Sequence, residues 1–453
     1  MNKKYNAAVI GSGPAGYMAA LKLAGAGKKT VLVEKKEEDA GGTCLNRGCI
    51  PVKSLIEASL LYRKMNEASA FGLDCRVSRP DAEKVIRGVQ ENIVNLKKGL
   101  FYRMKSAGID IKYQPAGFRN ENQIELEGGE VLGFDNALIA TGSAPGALKG
   151  ISYDGNSIIN SSHILNMRNF PEKMLIVGGG YIGCEMATAF SAFGVEVTLI
   201  EYEGAILPKE DRDVSKEVEK AFRKKKIKIN TQTILAGADL KGEEVEIERE
   251  TRGRRVREKY DKVLIAAGRK PYYEGLNPEN AGVATEGGAI VTDEKMQTSS
   301  KGIYAAGDVR GKEMFAHAAF RQGEIASSAI LKKPFPEYQP AFIPRVIFSS
   351  PQAASAGMTL SQIRERDRDT FSRKVYFRAN AKAVIEKETE GFMKLICDSE
   401  SRKVLSACIV GPRACELIHS VLWVISSGKT IDALISQVYA HPTLSEIISD
   451  ISI

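Results

Sequence analysis

The sequence predicts an α/β chain in which two similar parallel-sheet domains precede a C-terminal α+β domain. Three observations carry this. A short apolar strand, a glycine-rich turn and a helix follow one another twice. In each copy the strand after the helix ends in Glu, 23 residues beyond the first glycine of the turn. From about residue 339 the pattern changes to alternating, strand-like stretches followed by helical ones.

In the first copy, residues 7–10 form the strand and Gly11-Ser12-Gly13-Pro14-Ala15-Gly16 the turn. An Ala/Leu-rich helix runs to about Gly27, and a strand over 30–33 ends in Glu34. In the second copy, residues 175–177 lead into Gly178-Gly179-Gly180-Tyr181-Ile182-Gly183. A helix runs to about Phe193, and the strand 196–200 ends in Glu201. A lone G-x-G-x-x-G is weak evidence. With the strand before it, the helix after it and the acid beyond, it is the full dinucleotide fingerprint of a Rossmann-like domain. The glycines let the backbone turn tightly and approach a pyrophosphate. The helix N-terminus offers N–H donors and a positive dipole end, and the Glu accepts from ribose hydroxyls.

Each copy also has a later strand with a similar ending, 137–140 before Thr141-Gly142 and 263–267 before Gly268. A further apolar strand, 302–306, ends in Gly307-Asp308. In the third region 346–348 and 393–396 read as strands, and 416–426 and 431–438 as helices. The expected domains are 1–148, 149–268, a central segment 269–338, and 339–453.

Composition sets the outer bounds. The 453 residues are too many for one ordinary core. With 43% hydrophobic and 26% charged residues the mixture is globular. No apolar run approaches the roughly 20 residues that span a bilayer. The apolar stretch after Lys3-Lys4 is too short for a signal peptide, so a cytoplasmic protein is expected. The net charge of +8 favours solubility and mild attraction to anions such as nucleotides. The runs Arg223-Lys224-Lys225-Lys226 and Arg252-Gly253-Arg254-Arg255 read as a solvated helix end and a hairpin tip. Neither is interleaved with aromatic residues, so no nucleic-acid partner is expected, and no membrane.

Seven cysteines, an odd count in a large chain, do not read as a disulfide scaffold. Cys44 and Cys49 stand apart from the rest. Five residues apart on an ideal helix, their Cα atoms would be about 8.6 Å from each other. A disulfide wants roughly 4.4–6.8 Å. Gly48 and Pro51 permit the distortion that would close the gap, at a helix start whose dipole would lower a thiol pKa. Two buried cysteines, or half of a metal site, are the alternatives. No second Cys pair or His cluster has metal spacing, so no metal is expected. Cys75, Cys184, Cys397, Cys408 and Cys415 read as packing residues. His441, with Glu446 five residues on, reads as a base whose ring an acid orients.

The segment Gly41-Gly42-Thr43-Cys44-Leu45-Asn46-Arg47-Gly48-Cys49-Ile50-Pro51-Val52-Lys53 closely resembles the redox disulfide of the pyridine nucleotide–disulfide oxidoreductases. The resemblance covers nearly the whole chain. It takes in both fingerprints, Gly307-Asp308, Met314-Phe315-Ala316-His317, Ile343-Pro344-Arg345-Val346-Ile347-Phe348 and His441-Pro442-Thr443-Leu444-Ser445-Glu446. It is strongest to the dihydrolipoamide-oxidising branch.

The resemblance implies an FAD-dependent dihydrolipoamide:NAD+ oxidoreductase. Gly11, Gly13, Gly16 and Glu34 would hold FAD, with Thr141, Gly142 and Gly268 ending the later strands. Asp308 would bond the flavin's ribitol chain, and the backbone of Ala316 and His317 would lie by the ring. Gly178, Gly180, Gly183 and Glu201 would hold NAD, with Tyr181 over the nicotinamide pocket. Cys44 would meet substrate, Cys49 would face the flavin, and Lys53 would pair with Glu185. The domain from 339 would make a homodimer. Dihydrolipoamide or a lipoylated protein is the implied substrate, and a 2-oxoacid dehydrogenase or glycine-cleavage complex the implied partner.

The chain departs from the family in three places. Tyr439 stands where a His is common, Ala318-Ala319-Phe320-Arg321-Gln322 where several acids are common, and Gln352 where Glu is usual. No lipoyl domain is expected ahead of the first strand. Glu201 argues against NADPH-linked reductases, and the end of the chain lacks the Cys pair of mercuric reductases. The alternatives are an NADH-dependent reductase of another small disulfide and a redox-silent flavoprotein scaffold.

Overall fold

Ala7, Ala8, Val9 and Ile10 are all buried, as a strand covered on both faces requires. Their side chains alternate: Ala8 and Ile10 enter one core, Ala7 and Val9 another. In the computed structural model, which describes residues 3–335 and 337–452, these residues belong to the strand Lys3–Ile10. The chain divides into two compact units. The first comprises Met1–Ser54, Lys84–Gly146 and Gly268–Tyr338; the second comprises Leu55–Glu83, Ala147–Ala267 and Gln339–Ile453.

The first unit is built on a seven-stranded sheet. Its order is Asp110–Tyr113, Thr30–Glu34, Lys3–Ile10, Val131–Ile139, Gln123–Leu126, Ala116–Asn120, and Ile303–Ala305 pairs in parallel with Val131–Ile139. Register positions the site. Ile10 lies opposite Val33 on one side and Ile139 on the other, and Ile139 lies opposite Ala305. The segments leaving these strands, at Gly11, Glu34, Ala140 and Ala306, therefore emerge at one edge. Helix Pro14–Gly25 follows the glycine turn and packs on helix Ala316–Ile330. A Cβ on Gly323 would stand 2.4 Å from the carbonyl oxygen of Ala15, so the two backbones approach closely only because that residue is Gly.

The second unit carries a five-stranded parallel sheet, ordered Lys228–Asn230, Glu196–Ile200, Lys173–Val177, Lys262–Ile265, Ile158–Asn160. An antiparallel meander follows, Thr233–Lys241, Glu244–Thr251 and Arg254–Tyr260. Its second turn is the basic tip at Arg252-Gly253. The last domain is a five-stranded antiparallel sheet, Arg345–Ile347, Gln352–Gly357, Val404–Gly411, Phe392–Asp398, Thr370–Tyr376, packed by helix Ala414–Ser426. Met393, Leu395, Ile409, Ile418 and Val421 form its core without exposure.

Three expectations change. The helix expected over 431–438 stops at Ile435. Val438 beyond it is 93% exposed, so this part of the apolar pattern is not buried as a helix face. The basic run at 223–226 is not solvated throughout: Lys225 turns inward and donates to the carbonyl of Ser350 at 2.6 Å, and burial pushes its amine down to about 8. Cys75 is exposed, so it is not a packing residue, whereas Cys184, Cys397, Cys408 and Cys415 are buried. Among the described residues no helix is long and apolar enough to cross a membrane, and no group of His, Cys, Asp and Glu has the arrangement to hold a metal.

Candidate active site

The cysteine segment folds as two helices, Gly42–Asn46 and Cys49–Asn66, broken at Arg47-Gly48. Cys44 sits in the first and Cys49 opens the second. The break folds them together. A Cβ at Gly48 would lie 2.8 Å from the Thr43 carbonyl oxygen and 3.2 Å from Cys44 Cα, so only Gly allows the turn to close this tightly. Asn46 fixes the loop from inside, donating to the carbonyls of Asp39, Ala40 and Gly42 at 3.0, 3.0 and 2.9 Å. Arg47 pairs with Asp39 at 2.6 Å. Cys44 and Cys49 are both thiols here. Cys44 is pushed far up, first by its hydrogen bond with Cys49 and then by burial; Lys53 acts in the opposite direction. Cys44 lies outside the long helix, and it is Cys49 that occupies the helix start.

This segment rests on the first glycine turn. A Cβ on Gly42 would stand 2.5 Å from Gly13 Cα. The Gly41 N–H donates to Ser12 Oγ at 3.0 Å, and that hydroxyl donates to Glu34 Oε2 at 2.6 Å. Glu34 Oε2 also accepts from the Ser12 N–H at 2.9 Å. The second turn repeats the device: Glu201 accepts from the N–H of Gly179 at 2.5 Å and of Glu203 at 2.8 Å.

Both turns fit a dinucleotide. A Cβ on the last glycine, Gly16 or Gly183, would fall 1.9 or 1.8 Å from the carbonyl oxygen of Gly11 or Gly178, so these glycines close helix onto strand. The middle glycines face room. A Cβ on Gly13 would meet only Gly42 Cα, at 3.9 Å, and one on Gly180 would meet nothing within 4 Å. That is the opening a pyrophosphate needs.

Asp308 follows the last strand of the first sheet and is buried, which pushes its carboxyl up; Ser143 Oγ donates to it at 2.5 Å, and the Arg269 guanidinium favours its charge. Arg269 donates to Ser143 Oγ at 2.7 Å and to its carbonyl at 2.6 Å. Its strand Arg269–Pro271 pairs with Ser143–Pro145, so Gly268 belongs to the first unit. Thr141 donates to the Tyr272 carbonyl at 2.5 Å, and Gly142 adopts φ +76°. Gly307 donates to the buried Gln322 at 2.7 Å. Ala316 opens its helix, with the His317 ring stacked on Phe315 at 5.3 Å. Sequence reasoning missed Ser143, Arg269 and Gln322. The one available signal was that Arg269 directly follows Gly268.

The remaining candidates lie in the second unit. Glu185 is buried in helix Tyr181–Ala192 and accepts from the Phe348 N–H at 3.1 Å. Tyr181 bonds the fully buried Glu210, which Arg345 also reaches at 3.1 Å; burial pushes the Tyr181 phenol up. His441 Nδ1 lies 2.9 Å from Glu446 Oε1, and the Thr443 N–H donates to the other oxygen at 2.8 Å. These two contacts, the backbone one first, hold the Glu446 carboxyl below its ordinary range. The His441 side chain is 72% exposed. Tyr439 donates to the Leu434 carbonyl at 3.1 Å. The structure thus assembles Cys44, Cys49 and Lys53 in one unit, and His441 and Glu446 in the other, with Glu185.

The sequence profile described as pyridine nucleotide-disulphide oxidoreductase matches residues 5–323, and that of the family's dimerisation domain matches 343–451. The chain is 37% identical to a dihydrolipoyl dehydrogenase of Corynebacterium glutamicum, covering 99% of this chain and 97% of the relative. It is 35% identical to one of Bacillus subtilis, over 99% and 98%. Among solved structures, the Cu(II) complex of the HOCl-induced flavoprotein disulfide reductase RclA from Escherichia coli matches with a TM-score of 0.89 and 29% identity, over 100% of this chain and 99% of that one. LpdA from Mycobacterium tuberculosis matches in fold, with a TM-score of 0.91 at 24% identity over 99% of both chains. The chain belongs to the pyridine nucleotide-disulphide oxidoreductases, a family of flavoprotein disulfide reductases that binds FAD and a pyridine nucleotide and carries a dimerisation domain.

Proposed function

We propose that the protein is a cytoplasmic, homodimeric dihydrolipoamide:NAD+ oxidoreductase. The His441–Glu446 pair carries this reading: Glu446 fixes Nδ1, and the exposed ring offers Nε2 outward to a thiol. Full-length likeness to dihydrolipoyl dehydrogenases supports it.

Gly11, Gly13, Gly16, Glu34, Thr141, Gly142, Gly268, Gly307, Asp308, Ala316 and His317 would hold FAD. Gly178, Gly180, Gly183, Tyr181 and Glu201 would hold NAD. Bound FAD would supply the two-electron transfer between the cysteine pair and NAD+. The chain's own part is thiol chemistry. A substrate thiolate attacks Cys44 Sγ of the Cys44–Cys49 disulfide, the S–S bond breaks, and Cys49 leaves as thiolate. His441 takes the proton of the second substrate thiol, whose sulfur then displaces Cys44 and closes the substrate disulfide. The dithiol is oxidised and the cysteine pair reduced. Lys53 would place a cation near the pair.

Steady-state turnover of dihydrolipoamide with NAD+ by the FAD-loaded protein tests the proposal. Turnover that vanishes in both Cys44→Ser and Cys49→Ser is expected. The full-length match to RclA favours a second reading, an NADH-dependent reductase of another oxidant. NADH oxidation driven by Cu(II) or a small disulfide, without dihydrolipoamide turnover, would select it.

A further inference from the structure

Four cations converge on a cavity of about 320 Å³ that none of the roles above uses. Lys173 and Lys228 are the first residues of their strands, Arg223 comes from the last turn of helix Arg212–Lys224, and Arg249 comes from the meander with Glu258 and Tyr260. The glycine turn lies at the opposite end of the same sheet. At ~3.3 Å per residue, Lys173 is roughly 16 Å from Gly178.

The charges in this cavity are not balanced. Arg249 is fixed by Glu258, with contacts at 2.9 and 3.2 Å, and is only 16% exposed. Lys228 and Arg223 pair with Glu196 and Glu219 at the surface, where they are 63% and 56% exposed. Exposed pairs contribute little, so both cations can turn toward a ligand at small cost. Among the described residues Lys173 has no ion pair; its amine stands 4.6 Å from the centre of the Tyr260 ring. Four cations thus face three carboxylates. Asn230 adds a neutral donor to the same wall, where the Thr198 hydroxyl is bonded to Tyr260.

We propose that this cavity binds a small multivalent oxyanion of the phosphate class, at a site separate from both dinucleotide fingerprints. Lys173, which stands over the Tyr260 ring and acts on Glu196 and Glu258 only beyond ion-pair distance, makes the first contact, Lys228 and Arg223 close over the ligand, and Arg249 forms a fixed floor. The test titrates the FAD-loaded protein with inorganic pyrophosphate, with saturating NAD+ present and ionic strength held by NaCl. Lysine acylation, read by mass spectrometry, locates the ligand. Saturable binding of one pyrophosphate per chain is expected, with slower labelling of Lys173 and Lys228 and unchanged labelling of Lys301, an exposed lysine outside the cavity lining. Lys173→Gln with Lys228→Gln should weaken binding roughly tenfold or more, the scale of losing charge-assisted contacts. The wild-type footprint stands on its own if the double variant folds poorly. Binding that NAD+ abolishes, labelling at Lys173 that pyrophosphate leaves unchanged, or a folded double variant that binds as tightly as wild type would each overturn the proposal.

Discussion

Gly48→Ala is the most direct probe of how the cysteine pair is held. The new methyl group would begin 2.8 Å from the Thr43 carbonyl oxygen, and ordinary contact begins at 3.4 Å, so the two segments must part by 0.6 Å. Thr43 oxygen and Cys44 Cα are backbone atoms and cannot rotate away. Gly48 does not occupy the left-handed region, so the contact alone sets the cost. Overpacking of this kind costs about 1–3 kcal/mol. The dithiol form relieves it by letting Cys44 move off. A Cys44–Cys49 disulfide cannot, because its Cα atoms are confined to roughly 4.4–6.8 Å. The strain therefore remains in the oxidised form and makes it easier to reduce. At about 30 mV per 1.4 kcal/mol, the midpoint potential should rise by about 20–60 mV. The assay equilibrates protein in dithiothreitol redox buffers, quenches by alkylation, and reads Cys44 and Cys49 by mass spectrometry. Gly25→Ala, where a Cβ meets nothing within 4 Å, is the control and should leave the potential unchanged. An unchanged or lower potential in Gly48→Ala would refute the close packing of the two helices.

Glu201→Ala should narrow a preference for NAD(H) over NADP(H), because the carboxylate opposes a 2′-phosphate; kcat/KM for the two cofactors measures it, and equal use by wild type would refute the assignment. His441→Gln should cost roughly 10²–10⁴-fold in thiol turnover while sparing NADH–flavin exchange. Heterodimers of Cys44→Ser and His441→Gln chains should recover about half the activity if sites are shared across a two-fold axis, and none if they are not. Lys225 offers a pH test. Its folded pKa, about 8, lies below the ordinary 10.5, so between those values the unfolded chain holds a proton that the folded one lacks, and stability rises with pH. The full shift corresponds to roughly 3 kcal/mol. Lys225→Met should flatten the rise in denaturant midpoint between pH 8 and 10.5, and an equally steep rise in the variant would refute the assignment.

What was legible in the sequence was local. The turn at Gly11-Ser12-Gly13 and the break at Gly48 could be read because a glycine's need for space is written in its immediate neighbours. Arg269 and Ser143 were invisible for the opposite reason: they are 126 residues apart, and nothing near either one names the other. Lys225 was misread for the same cause, since the Ser350 carbonyl that draws it inward lies 125 residues away. The helix ends at Ile435, short of 438; periodicity counts apolar residues and cannot see that Val438 is exposed.

The strand Ile303–Ala305 has a consequence for how the chain is made. It pairs with Val131–Ile139, but roughly 160 residues of other structure are translated between them, including the entire five-stranded parallel sheet. At ~5–20 residues per second, the ribosome takes about 8–32 s to cover that interval. Throughout it, the carboxyl half of Val131–Ile139 waits as an open sheet edge, the kind of edge that recruits wrong partners. The sheet that begins first is therefore finished only after the parallel sheet begun second, and the nascent chain carries an unfinished edge between those two moments.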